Sequence, residues 1–197
     1  MSAIEPRPGV IEAAITPLRW GTPAQSAIEM ATEGTACIEA GAGIVHHHHD
    51  MRLAPDDAAR QLIDVGEQIL AAHPSALVYT DYLTGKAAKD ENTHLRPMAE
   101  AGVLTMFAID PGITTFGSFD DQGLSARTCT DGLTFAEAHE MVGFAKEVGV
   151  PMSLGVFEPG HLRWIVAYTA KAGFPAGTLV KLYFGGEHTV DRPNAKV

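Results

Sequence analysis

Six short apolar runs recur along the chain at roughly the 30-residue length of a strand-plus-crossover unit. They limit this sequence more than any other feature. They are VIEAAIT (10–16), GIVHHH (43–48), ALVYT (76–80), VLTMFAI (103–109), PMSLGVFE (151–158) and TLVKLYFG (178–185). Longer stretches with helical periodicity lie between them. Such alternation calls for parallel strands joined by outer helices. Most of the runs are nearly continuous in apolar residues rather than alternating, as in strands buried on both faces. The chain therefore reads as α/β, a (β/α) TIM-barrel type with six βα units visible. A complete barrel has eight, so the last two fall outside this sequence. On this reading residues 1–197 form a single, incomplete barrel-type domain, with 187–197 a polar tail.

Helix signals support the same frame. Thr22 is a candidate N-cap with Pro23 at N1, opening a helix to Ala40 with Ile28, Ala31, Thr35 and Ile38 on its apolar face. Asp56 and Asp57 suit the first turn of the next helix, whose buried stripe is Ala59, Leu62, Ile63, Gly66, Ile69 and Leu70. A further helix is expected over 91–101. Thr134 with Glu137 has capping-box spacing for a helix over 134–148, and another helix runs from His161 to Gly173. Residues 110–134 form the longest stretch without periodicity. They read as a loop, and long loops in compact domains are usually functional or disordered.

Several classes are excluded. The net charge of −10 argues against non-specific nucleic-acid binding. No run approaches the roughly 20 apolar residues of a membrane span, and the start MSAIEPRPGV lacks a signal-peptide pattern. Cys37 and Cys129 form no spaced pair, and Cys37 reads as a small buried hydrophobe, so a reduced, cytoplasmic protein is expected. There is no dinucleotide fingerprint and no Walker-type loop. A six-unit sheet leaves strands one and six as open edges, which favour association between chains; a homo-oligomer is expected.

Polar groups gather just after the strands: Thr16 and Arg19, His46 to Asp50, Thr80 and Asp81, Asp110, Glu158 and His161, Glu187 and His188. Parallel barrels place their active sites at that edge. The four consecutive histidines are the densest group. Side chains alternate along a strand, so His46 and His48 share one face and His47 and His49 the other. Two imidazoles at i and i+2 on a buried strand end make half of a metal site, since neutral imidazole is the commonest metal ligand. His46 and His48 are thus the candidate metal ligands; a polar strand end without a ligand is the alternative. His47 and His49 read as packed or solvated bystanders.

Asp81 and Thr80 are the catalytic candidates, placed to orient a histidine or bind substrate, against a loop or cap role. Asp50 either accepts from a ligand imidazole N–H or caps the following turn. Arg19, in the first βα loop, is a candidate for a substrate carboxylate and otherwise a surface residue. Glu158 is a candidate substrate-binding residue in an E-P-G sequence that also reads as a turn. Glu12, inside the first strand, needs a partner if buried. Glu187 and His188 either supply a replacement ligand or belong to the tail. Trp20 and Trp164 read as packing residues.

The runs IEAAIT (11–16), EAGAGIVHHHHD (39–50), VYTDYLTG (78–85) and VFEPGHL (156–162) resemble the β-keto acid cleavage enzyme family, typified by 3-keto-5-aminohexanoate cleavage protein. The likeness covers most of this chain and the N-terminal part of a typical member. It implies an eight-stranded (β/α) barrel binding Zn²⁺, with His46 and His48 as two of the ligands. It also implies a reaction of a small β-keto acid with acetyl-CoA, giving acetoacetate and a new acyl-CoA. Zn²⁺ in such a site polarises the keto group and stabilises the enolate left by carbon–carbon cleavage. The family's glutamate ligand, base and carboxylate-binding arginine belong to a late R-x-G-x-E-D-N type run, which this sequence lacks. A family carboxylate on the fifth strand falls at Gly155. Two other readings stay open: a metal-dependent barrel hydrolase, and a truncated metal-binding protein without activity.

Overall fold

The computed structural model describes residues 9–18, 23–83, 90–122 and 125–183. The chain divides into two compact units, residues 1–107 and 108–197. The first contains β1 (Glu12–Ile15), α1 (Ala27–Glu39), β2 (Ile44–His47), α2 (Pro55–Ala72), β3 (Leu77–Thr80) and α3 (Leu95–Glu100), and β4 (Met106–Ile109) runs across the boundary. The strands lie in chain order and all pair in parallel. Ala14 is opposite His46, His46 opposite Tyr79, and Tyr79 opposite Met106.

This register sorts the side chains into two faces. Ile15, Val45 and Val78 pack with Met30 and Ala31 of α1 and Val65 and Ile69 of α2 in one buried cluster. Each of the valine, isoleucine and methionine side chains contributes roughly 1.5–3 kcal/mol, enough to hold the helices to this side of the sheet. Glu12, Ala14, His46 and Tyr79 therefore occupy the opposite side. Cys37 is half-buried at the margin of the same cluster.

The first helix begins later than the Thr22–Pro23 signal predicts. Its N-cap is Ser26, whose Oγ accepts from the Glu29 N–H at 3.3 Å while the Glu29 carboxylate accepts from the Ser26 N–H at 2.7 Å. Two reciprocal bonds outweigh a threonine–proline pair; Thr22 itself lies outside the described residues. The helix expected over 91–101 is shortened to α3 because residues 91–94 form turns, with the Thr93 hydroxyl donating to the Asp90 carbonyl at 2.9 Å.

The second unit holds β5 (Thr114–Phe119), β6 (Ser125–Asp131), α4 (Phe135–Val148), β7 (Met152–Val156), α5 (Pro159–Lys171) and β8 (Leu179–Leu182). The loop expected over 110–134 is instead an antiparallel hairpin, β5 with β6, carrying a register shift between Ser118 and Phe119. Its threonines and phenylalanines suit strands. A hairpin satisfies its backbone locally, so it lacks the apolar run that marks a buried parallel strand. β7 and β8 pair in parallel, with Ser153 opposite Leu179. The capping box Thr134/Glu137 opens α4, and Gly149 closes it in the left-handed region at φ 72°. Trp164 packs against Tyr168 and Phe174, with ring centroids 4.8 and 5.9 Å away. Parallel strands with intervening helices make the fold a partial (β/α) TIM-barrel type.

The two capping boxes yield a direct test. Ser26→Ala and Thr134→Ala should each lower stability by about 1 kcal/mol in urea unfolding. Glycine at either position should cost only a few tenths.

Candidate metal centre

The densest polar group lies where β2 ends and β3 follows it across the ladder. His46 closes the buried run Ile44–Val45 and is itself buried. His48, two residues on, returns to the same face, and the two Nε2 atoms are 2.8 Å apart. That spacing shares one proton between two imidazoles, one donating and one accepting. Their rings meet edge to face, with centroids 4.6 Å apart at 82°. His46 also packs on Tyr79, its ladder partner, at 4.5 Å. The Tyr79 hydroxyl donates to Glu12 Oε1 at 2.8 Å, which supplies the partner that the carboxylate in the first strand requires.

Asp81 follows β3 on the same side as Tyr79. One ligand atom from each of His46, His48 and Asp81 lies within 4.8 Å of the other two, the one such group of three among the described residues. Two imidazoles and a carboxylate on neighbouring strand ends suit a divalent transition metal, because borderline nitrogen donors and a hard oxygen converge. The Tyr82 N–H donates to Asp81 Oδ1 at 2.9 Å, fixing the carboxylate.

Other sequence candidates fall elsewhere. Thr80 points to the opposite, helix-packed face, fully buried, and its hydroxyl donates to the Asp81 carbonyl at 3.1 Å. It therefore steadies the backbone beside Asp81 rather than joining the group. Asp50 caps its own turn, accepting the Arg52 N–H at 2.9 Å and gripping the Arg52 guanidinium through Nε and Nη2 at 2.9 and 2.7 Å. Arg52 holds the Asp50 carboxyl below its ordinary range. The Asp50 N–H donates to Gln61 Oε1 at 2.8 Å, tying the turn to α2. Glu158 is the exposed N-cap residue of α5, and its side chain makes no capping bond. Within the second unit, the Asp110 carboxylate fills the space a side chain at Gly155 would need. Arg19, Trp20, Glu187 and His188 lie outside the described residues.

One histidine drew no notice in the sequence. His94, in the turn before α3, is fully buried. Its only sequence signal was an imidazole beside Leu95 in a predicted helix. His47 is fully buried as well, on the helix side of β2. Desolvation, aided by the charge of His48, pushes the His47 imidazole down to about 3. Desolvation, with His49 and His47, pushes His94 down to about 3, against an upward pull from the Asp81 main chain.

A parallel βα fold with two histidines and an aspartate converging at its strand ends defines a barrel-type protein with a His/Asp group able to hold a metal. The sequence profile of the beta-keto acid cleavage enzyme family matches residues 13–195. The chain belongs to that family, whose enzymes are metal-dependent. Among solved structures it is similar to the binary complex of ObcA with oxaloacetate, with 14% identity and a TM-score of 0.54 over 74% of this chain. The match spans 33% of the ObcA chain. Dihydrodipicolinate synthase from Rhodopseudomonas palustris is 12% identical, with TM-score 0.48 over 88% of this chain and 62% of the other. The mandelate racemase/muconate lactonizing protein from Paracoccus denitrificans PD1222, complexed with magnesium, is 15% identical, with TM-score 0.47 over 80% and 36%. At such identities the ObcA likeness establishes fold alone. No match is found among curated proteins. No helix among the described residues is long and apolar enough to cross a membrane.

The two depressed imidazoles set a pH dependence for the metal-free protein. Both are neutral when folded and take up protons near pH 6.5 when unfolded. Their stabilising contribution is therefore complete above pH 6.5 and is lost as pH falls toward 3. The slope reaches about 1.4 kcal/mol per pH unit for each histidine. Urea unfolding in EDTA between pH 7.5 and 4.5 should show this decline, and His94→Gln should roughly halve it. A flat profile over that range would refute the assignment.

Proposed function

We propose that this protein cleaves a β-keto acid with acetyl-CoA as the co-substrate, at a Zn²⁺ held by His46, His48 and Asp81. The observation that carries the reading is the convergence of those three donors in a member of this family. Oxaloacetate, the ligand of the ObcA complex, has a carboxylate β to its keto group and so belongs to the same chemical class. The reaction is an acyl exchange. The β-keto acid gives up its acyl group to coenzyme A, and the acetyl group of acetyl-CoA takes its place, so that acetoacetate and a new acyl-CoA result.

His46, His48 and Asp81 would hold the cation, which would supply a Lewis acid for the keto oxygen and for the negative charge that carbon–carbon cleavage leaves. His46 and His48 bind it as neutral bases from a rigid strand end, and Asp81 adds the negative charge. Tyr79 fixes the plane of His46 by ring contact, and Glu12 in turn holds the Tyr79 hydroxyl. Thr80 acts by steadying Asp81 through its carbonyl. Arg19 is the proposed contact for the substrate carboxylate, and a cytoplasmic setting supplies both substrates. Self-association completes the proposal: Leu182 and Tyr183, at the end of β8, are exposed apolar residues beside a strand edge.

Elemental analysis and a thioester-exchange assay over a panel of β-keto acids test this directly. His46→Ala/His48→Ala should lose one equivalent of Zn²⁺ and all exchange. Asp81→Asn should weaken Zn²⁺ by more than the roughly 10–100-fold that follows loss of an outer partner. Unchanged metal content in the double variant would remove the central claim. Light scattering of the purified chain should report more than one copy, and a stable monomer would dismiss self-association.

A further inference from the structure

We propose that His47, His49 and His94 form a second metal site, on the helix-packed side of β2, that takes a borderline divalent cation such as Zn²⁺. The proposal stands on residues the first centre does not use and does not depend on the activity above.

The ladder brings the three together. His47 pairs with Thr80, so both point toward the helices. His49, two residues further, returns to that side. His94 enters the same layer from the turn before α3 and lies against the Asp81 main chain, one residue beyond Thr80. All three belong to the first unit. His47 and His94 are 0% exposed and His49 is 2% exposed. The ring nitrogens of His47 meet no hydrogen-bond partner in the protein, and those of His94 have only the Asp81 main chain within reach. Buried imidazoles are normally satisfied, so ring nitrogens left open in one buried layer point to a ligand.

The chemistry narrows that ligand. Neutral imidazole is the form that binds metal. Three imidazoles without a thiolate favour Zn²⁺, Co²⁺ or Ni²⁺ over Mg²⁺ or Ca²⁺. Asp50 interacts electrostatically with His49 and supplies nearby negative charge. The ligand atoms of this triad are not already within 4.8 Å of one another, as those of His46, His48 and Asp81 are. Loading therefore requires ring rotation about χ2, a broad torsion in imidazole. Because the two groups lie on opposite faces of one strand, they would form separate mononuclear centres.

Metal content of the untagged full chain, saturated with Zn²⁺ and dialysed, decides the matter. The expected result is two equivalents in wild type, one in His46→Ala/His48→Ala and one in His94→Gln. His49→Gln provides a second variant should His94→Gln fail to fold by circular dichroism. Co²⁺ loaded into the His46→Ala/His48→Ala protein should also give visible d–d absorption that His49→Gln abolishes. One equivalent in wild type and none in His46→Ala/His48→Ala would overturn the second site and leave the first standing. One equivalent that survives His46→Ala/His48→Ala and disappears in His94→Gln would keep the second site and remove the first. No bound metal in wild type would overturn both.

Discussion

The two-residue period of β2, held in a parallel ladder on both sides, is the constraint on which the rest of the first unit depends. Val45 is fully buried among α1 and α2 with Ile15 and Val78. That apolar layer sets the register, because a slip of one residue would carry Val45 out of the core and drive His46 into it. Once Val45 is placed, His46 and His48 have no choice of face. Hydrophobic packing on one side of the strand thus positions polar chemistry on the other.

Polar groups then refine the position. Tyr79 lies beside His46 and is held by Glu12, so an aromatic plate and a carboxylate back the imidazole from two neighbouring strands. Asp81 is the first residue past β3, with its carboxylate fixed by the Tyr82 N–H and its carbonyl by the Thr80 hydroxyl. The turn after His49 is closed by the Asp50–Arg52 pair and anchored to α2 by Gln61. Sites whose donors come from strand ends keep tighter geometry than sites on free loops. Here all three donors lie within one residue of a strand, His46 and His48 on β2 and Asp81 on β3.

Family membership and local chemistry bear on different questions. The match over residues 13–195 establishes descent. The convergence of His46, His48 and Asp81 concerns what this chain can bind, and Asp81 is the residue that changes the picture. The family resemblance implies a carboxylate ligand beside the two histidines. An aspartate already within the first unit offers the same charge and oxygen donor. At Gly155 the second unit makes a comparable substitution of space, since the Asp110 carboxylate occupies the room left by the absent side chain.

Much was legible in the sequence. The alternation of apolar runs and amphipathic stretches determined the parallel β/α order, and period two along His46–His49 determined which imidazoles share a face, because both follow from local backbone geometry. The Thr134–Glu137 box determined where α4 starts for the same reason. The hairpin in 114–131 was not legible, since antiparallel pairing over a polar segment leaves no apolar signature. Nor was the role of Thr80, whose hydroxyl turns back to the neighbouring carbonyl. Above all, tertiary structure alone decided that Asp81 meets His46 and His48 and that His94 is buried near His47. Those encounters join residues more than 30 positions apart; the lateral register of β2 against β3 brings Asp81 to the histidines, and the turn before α3 brings His94.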